Sequence, residues 1–149
     1  AFEMKILAHS RSLSKDSENV RAVGLYELLE SSDFLSLHCP LNDSTQQIIN
    51  RESLARMKRS SVLINTARGP LVDERALAEN LNGDGIAAAY LDVLSIEPPK
   101  PGNQLSQAKN CWITPHYAWA SFESRNRLMK IVCENLESFL KGNPKNQVA

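Results

Sequence analysis

Residues 61–77, SVLINTARGPLVDERAL, decide the fold. Val62, Leu63 and Ile64 form a short apolar run, of the kind a parallel strand needs when both its faces are covered. Asn65, Thr66, Ala67, Arg68, Gly69 and Pro70 break that run with small residues and a Gly-Pro stop. Asp73 is placed to cap a helix carrying Ala76, Leu77 and Leu81. Strand, turn and helix in this order put Arg68 just beyond the carboxyl end of a strand, where open α/β sheets bind ligands. A guanidinium there offers a planar fork suited to a carboxylate. The same place also suits a plain surface arginine beside an ordinary loop, so position alone leaves both readings open.

Outward from this unit, strand and helix patterns alternate. Residues 4–8 are a short apolar run, followed by a polar stretch to Asn19. Residues 24–32 carry Leu25, Leu28 and Leu29 at helical spacing, and residues 34–39 read as a strand closed by Pro40. A polar turn over 41–46 leads to a short helix over 50–58. Asn82, Gly83, Asp84 and Gly85 stop the helix after Asp73, and residues 86–92 form another buried strand. The proline-rich stretch 94–107 argues against regular structure. Residues 111–114 make a last strand, ended by Pro115. Ser121 then caps a long helix to about Lys141, with Leu128, Val132, Leu136 and Phe139 on one side and Gly142 and Pro144 as its stop. Parallel strands need such crossovers. The expected fold is therefore α/β, a parallel sheet with right-handed crossovers and helices on both faces.

Bulk properties narrow the function. A chain of 149 residues is long enough to bury roughly two thirds of its unfolded surface. Lys+Arg and Asp+Glu both number 17, so the electrostatic footprint of a nucleic-acid binder is missing. The longest apolar run, residues 86–91, is too short to cross a bilayer, and the amino terminus does not read as a secretory signal. Cys39, Cys111 and Cys133 have no paired or metal-ligand spacing, which favours reduced thiols in a cytoplasmic protein and no metal site.

Chemistry gathers at the strand ends. One strand runs into Arg68, the next into Asp92 with Glu97 in the following loop, and the last into His116. In a parallel sheet these ends share one edge. Arginine can clamp a carboxylate and polarise a neighbouring carbonyl. Histidine can move a proton near neutral pH, and a carboxylate on its far nitrogen favours the imidazolium. Taken singly, each residue also has a bland reading: His38 and Cys39 as strand-end residues, Glu97 as a solvated charge, Tyr117 and Trp119 as packing. No G-x-G-x-x-G occurs among the six glycines, although a dinucleotide-binding domain should show one between its first strand and first helix.

INTARGPLVDERAL, then AAAYLDVLSIEPP, then ITPHYAWAS, closely resemble the D-isomer-specific 2-hydroxyacid dehydrogenases. HYAWAS, with EPPKPGNQL and CWITPH before it, is most similar to the glycerate dehydrogenase/hydroxypyruvate reductase branch. The resemblance implies a Rossmann-like nucleotide-binding domain and an enzyme passing a hydride between NAD(P) and a D-2-hydroxy or 2-oxo acid. It implies that Arg68 binds the substrate carboxylate and carbonyl, that His116 is the acid/base, and that Glu97 holds His116 and raises its pKa. Asp92 would contact the nicotinamide carboxamide. Thr66, Ala67, Arg68 and His116 would line the nicotinamide side. Cys39, Pro40 and Thr45 would lie near the adenosine and ribose.

The departures matter as well. The family's first strand, glycine-rich loop and amino-terminal half have no counterpart here. The expectation is a carboxy-terminal fragment, inactive by itself, with residues 1–120 a partial nucleotide-binding domain and 121–149 a helix and tail returning to the substrate domain. Ser10 and Arg11 stand where NAD-preferring members place an acidic residue, which leans the cofactor towards NADP. Leu94 and Gln104 replace a common phenylalanine and proline and are expected to alter loop packing rather than chemistry. The family implies a homodimer. Corepressors similar to these enzymes keep the same motifs, so a nucleotide-sensing, partner-binding protein is the alternative.

Overall fold

In the computed structural model, residues 3–13 and 15–148 are described. Ala1, Phe2 and Ala149, the outermost positions of the two expected domain ranges, lie outside them, as does Ser14. The chain forms two compact units, one up to Pro115 and one from His116 onward. The first unit holds β1 (Ile6–Ala8), β2 (Val20–Ala22), α1 (Leu25–Ser31), β3 (Phe34–Leu37), α2 (Arg51–Arg56), β4 (Val62–Asn65), α3 (Glu74–Asn82), β5 (Ala88–Leu91) and β6 (Cys111–Ile113). The second holds α4 (Phe122–Leu140).

All strand pairs in these elements are parallel. β1 pairs with β2, and β3, β4, β5 and β6 follow one another across a four-stranded sheet. The register puts Leu35, Leu37, Leu63, Asn65, Ala89 and Leu91 on one face, because side chains alternate along a strand. Those residues are buried against Leu29 of α1, Leu54 of α2, and Leu77 and Leu81 of α3. Local chemistry sets the helix ends. The Asn50 side chain accepts from the amides of Glu52 and Ser53, and Asp73 accepts from that of Ala76.

Helices are expected on both faces of this sheet; within the first unit the described ones, α1 to α3, pack on one face only. Right-handed crossovers between strands that advance steadily in one direction all pass over the same face. The second face carries Phe34, Tyr90 and Trp112, which are 60%, 47% and 48% exposed. Tyr90 stacks on Trp112 across the β5–β6 pair, with ring centroids 4.8 Å apart and planes 9° from parallel.

Three local readings change too. The strand expected at residues 4–8 starts only at Ile6. It pairs with β2, which lies just past the expected polar stretch and was not anticipated. The proline-rich stretch is not wholly irregular, since Gln104–Gln107 form a 3₁₀ turn capped by Asn103, with Leu105 fully buried. A second 3₁₀ turn, Gly69–Leu71, joins the Arg68 turn to α3.

In the second unit, Ser121 caps α4, its hydroxyl accepting from the Ser124 amide. None of the helix residues is buried, and Leu128, Met129, Leu136 and Phe139 are at least half exposed. No helix among the described residues is long and apolar enough to cross a membrane.

Candidate active site

The site is built from the turn after β4. Asn65 ends that strand on the helix-covered face and is 1% exposed. A buried amide must place its donors and acceptor. Asn65 Oδ1 accepts from the Ala67 amide at 3.0 Å, and its Nδ2 donates to the Arg68 carbonyl at 2.9 Å. One side chain therefore ties down the turn of residues 66–68 from beneath. Arg68 itself is exposed, and its Nη1 donates to the Ala67 carbonyl at 2.6 Å. The guanidinium has five donors in a planar fork, so this bond leaves capacity for a carboxylate.

The loop after β5 packs directly on that turn. A Cβ built on Gly69 would sit 2.0 Å from the Leu94 carbonyl carbon and 2.3 Å from the Ser95 nitrogen, so the two backbones touch where only glycine fits. The Leu94 amide donates to Glu97 Oε1 at 2.8 Å, which fixes the start of the loop around the Glu97 carboxylate. The structure thus packs the turn after Arg68 against the start of the loop that carries Glu97.

Asp92 lies at the end of β5 and is 5% exposed. Burial of a carboxylate is costly without hydrogen bonds. Thr114 Oγ1 donates to Asp92 Oδ1 at 2.6 Å, and the Asp92 amide donates to the Asn65 carbonyl at 2.9 Å. Cys39 and Pro40 follow β3, and Thr45 closes the next turn by donating to the Pro40 carbonyl at 2.7 Å. The ends of β3, β4, β5 and β6 therefore deliver Cys39, Thr66 to Arg68, Asp92 and Thr114 to one edge of the parallel sheet. Ser10 and Arg11 are exposed in the turn after β1, where Ser10 Oγ lies 3.2 Å from Ser12 Oγ. His116 opens the second unit, with a φ of 53° and its carbonyl accepting from Trp119 Nε1 at 3.0 Å. His38 lies 2.8 Å from Ser36 Oγ through its Nε2, in keeping with its bland reading.

Asn65 and Thr114 were not singled out from the sequence. Period-two alternation does carry the first signal: Asn65 shares a face with Leu63, and a buried asparagine at a strand end implies a turn to be held. Thr114 had no such signal, because its partner is 22 residues away.

One thiol bears on the site's surroundings. Burial, and secondarily the charge of Glu74, push the Cys111 thiol up to about 11. At pH 8 only about one Cys111 in 10³ is then thiolate, the form that reacts. Iodoacetamide labelling of Cys111 in the folded protein should therefore lag behind that of exposed Cys133. Its rate should climb about tenfold per pH unit from neutrality towards pH 10. A plateau by pH 9 would contradict the assigned environment.

The model of the D-isomer specific 2-hydroxyacid dehydrogenase, NAD binding domain, matches residues 1–118. A hydroxypyruvate reductase of Blautia hydrogenotrophica is 50% identical over 150 residues, covering 99% of this chain and 47% of its own. A glycerate dehydrogenase of Methylorubrum extorquens is 47% identical over 128 residues, covering 85% of this chain and 41% of its own. Among solved structures, an acyclic imino acid reductase in complex with NADPH and D-Arg superposes with a TM-score of 0.89 at 36% identity. That match covers 99% of this chain and 47% of the reductase. The chain spans about half the length of the curated relatives it matches.

Proposed function

The chain belongs to the D-isomer-specific 2-hydroxyacid dehydrogenase family, within its NAD-binding domain, and from that premise we propose that the protein reduces a small 2-oxo acid, hydroxypyruvate first among them, to the D-2-hydroxy acid. The observation that carries this reading is Arg68, an exposed guanidinium on a turn pinned by Asn65 and packed against the loop of Glu97.

The residues fit the nicotinamide end of the cofactor. Asp92 is a carboxylate acceptor at a strand end, suited to a carboxamide N–H, and Thr114 holds it in place. The turns at residues 39–45 and 66–68 offer backbone groups at the same sheet edge. None of the six glycines (24, 69, 83, 85, 102 and 142) has the spacing of a G-x-G-x-x-G loop, so no pyrophosphate cradle of that type lies in these residues. When bound, NAD(P)H supplies the hydride.

The chain's own residues do the rest. Arg68 grips the substrate carboxylate and polarises the 2-oxo group. His116 donates a proton to the carbonyl oxygen as it becomes a hydroxyl, and Glu97 holds its imidazole in place. Ser10 and Arg11 would accept a 2′-phosphate, so NADPH is the expected partner over NADH. The reading takes the protein as a cytoplasmic homodimer.

The test uses the whole protein encoded by its gene. Hydroxypyruvate and glyoxylate should each drive oxidation of the reduced cofactor, with a higher kcat/KM for NADPH than for NADH. Absence of turnover with any 2-oxo acid would sink the proposal. Sedimentation of the same sample as a clean monomer would count against the dimer.

A further inference from the structure

The first turn of α3 carries a carboxylate that the reaction does not use. Glu74 is half-buried, although a first-turn glutamate on a short helix can stay fully solvated. Its Oε1 accepts from the Ser95 amide at 2.5 Å, 21 positions along the chain. Its Oε2 accepts from Asn103 Nδ2 at 3.4 Å. Ser95 and Asn103 are the two ends of the exposed stretch that contains Glu97. Each end is tied down again. Ser95 follows Leu94, whose backbone abuts Gly69 and whose amide donates to Glu97. Asn103 Oδ1 accepts from Leu105, which is fully buried. One carboxylate therefore bridges both feet of the loop and fastens them to the helix that begins just after Arg68.

We propose that Glu74 is a positioning residue: it clamps residues 95–103 to α3 and so fixes Glu97 relative to the Arg68 turn. This rests on the catalytic roles given above to Arg68 and Glu97. Charge-assisted bonds from a carboxylate to backbone and amide N–H groups are short and strong, and they set geometry as well as energy. Proline at 98, 99 and 101 stiffens the stretch, so fixing its ends fixes its middle.

A competing role is easily stated. An acidic residue in a helix's first turn also interacts favourably with the helix dipole, whatever its side chain touches. Two variants separate the roles because their expectations cross. Glu74→Gln keeps an oxygen at the right reach for Ser95 but loses the charge and, with an NH2 in place of Oε2, the acceptor for Asn103 Nδ2. Glu74→Asp keeps the charge but is one methylene too short for the Ser95 amide. A clamp makes Asp the more impaired and leaves Gln, which still holds Ser95, between Asp and wild type; a dipole role leaves Asp intact and impairs Gln.

The experiment has two arms. Amide exchange within residues 95–103 should rise at least tenfold in Glu74→Asp and by a smaller factor, confined to the Asn103 end, in Glu74→Gln, with β4 and β5 unchanged in both. In the whole protein, Glu74→Asp should lower kcat for hydroxypyruvate about tenfold, while KM for the reduced cofactor stays within twofold and Glu74→Gln keeps the larger share of kcat. Equal exchange in the two variants, or impairment of Gln with Asp intact, would overturn the clamp. Should the wild-type protein reduce no 2-oxo acid, the catalytic reading falls alone and the exchange arm still decides the clamp.

Discussion

Replacing Arg68 with alanine is expected to lower kcat/KM for hydroxypyruvate by about 10³-fold or more and to leave folding almost untouched. Two losses combine. A charge-assisted, bidentate grip on the substrate carboxylate is worth roughly 1.5–3 kcal/mol, and its removal raises KM. Removing a donor aimed at the developing charge on the carbonyl oxygen costs a further 10²–10³-fold or so in kcat. Neither loss touches the core, because the guanidinium is exposed and its one described bond is to the neighbouring Ala67 carbonyl. A surface change of this kind stays within about 0.5 kcal/mol of wild-type stability. Arg68→Lys should recover only part of the rate, since an ammonium cannot form the fork. Steady-state kinetics with a melting curve on the same samples check this. Turnover within tenfold of wild type in Arg68→Ala would remove Arg68 from the mechanism. A protein that sensed nucleotide and bound partners would instead show no turnover in either form and keep its biological activity.

What residues alone reveal of the fold depends on whether the information is local. The strand, turn and helix around Arg68 are encoded within 17 consecutive positions, and the structure reproduces them as Val62–Asn65, a turn, and Glu74–Asn82 capped by Asp73. Ser121 likewise announces α4, and Gly142 follows its end with a φ of 73°. β2 was not legible, because Val20, Arg21 and Ala22 are too few to show an alternation and owe their strand character to pairing with β1. The placement of the helix layer is not legible for another reason. A chain of alternating strands and helices does not state its strand order, and only the steady order from β3 to β6 puts α2 and α3 over one face.

The candidate site divides the same way. Arg68, Asp92 and Glu97 declare themselves by sitting after apolar runs in positions that packing does not demand. Their supports do not. Asn65 grips a turn of its own neighbours, yet its importance shows only once its burial is seen. Thr114 on Asp92 and Glu74 on Ser95 are contacts across more than 20 positions, which no local pattern encodes. Residues that touch a ligand must look chemically out of place, whereas residues that hold them look like ordinary polar surface until the fold closes.

Gly69 carries the second large effect. Gly69→Ala should destabilise the first unit and slow the reaction at once, and the two effects share one steric cause. The glycine is not there for a left-handed backbone, since positive φ among the described glycines is confined to Gly102 and Gly142. Alanine at a permissive position would, if anything, stabilise by about 0.4–1 kcal/mol through the unfolded chain. Here the added Cβ meets the Leu94 carbonyl carbon at 2.0 Å, its oxygen at 2.2 Å and the Ser95 nitrogen at 2.3 Å. These are backbone atoms, so no rotamer change relieves the overlap and one loop must move. Forced repacking of this sort costs about 1–3 kcal/mol, sometimes more, and outweighs the entropic gain. For a unit of this size the melting temperature should fall by roughly 4–12 °C. The shift also parts the Arg68 turn from the Glu97 loop, and a displacement of about 1 Å in a catalytic constellation can cost about 10²-fold in rate. Adding Leu94→Ala to Gly69→Ala should rescue neither property, because the clash is with main chain and not with the leucine side chain. A Gly69→Ala protein with wild-type melting and wild-type kcat would show that the two loops are not held in contact during turnover, and the Arg68 turn would then owe its position to Asn65 alone.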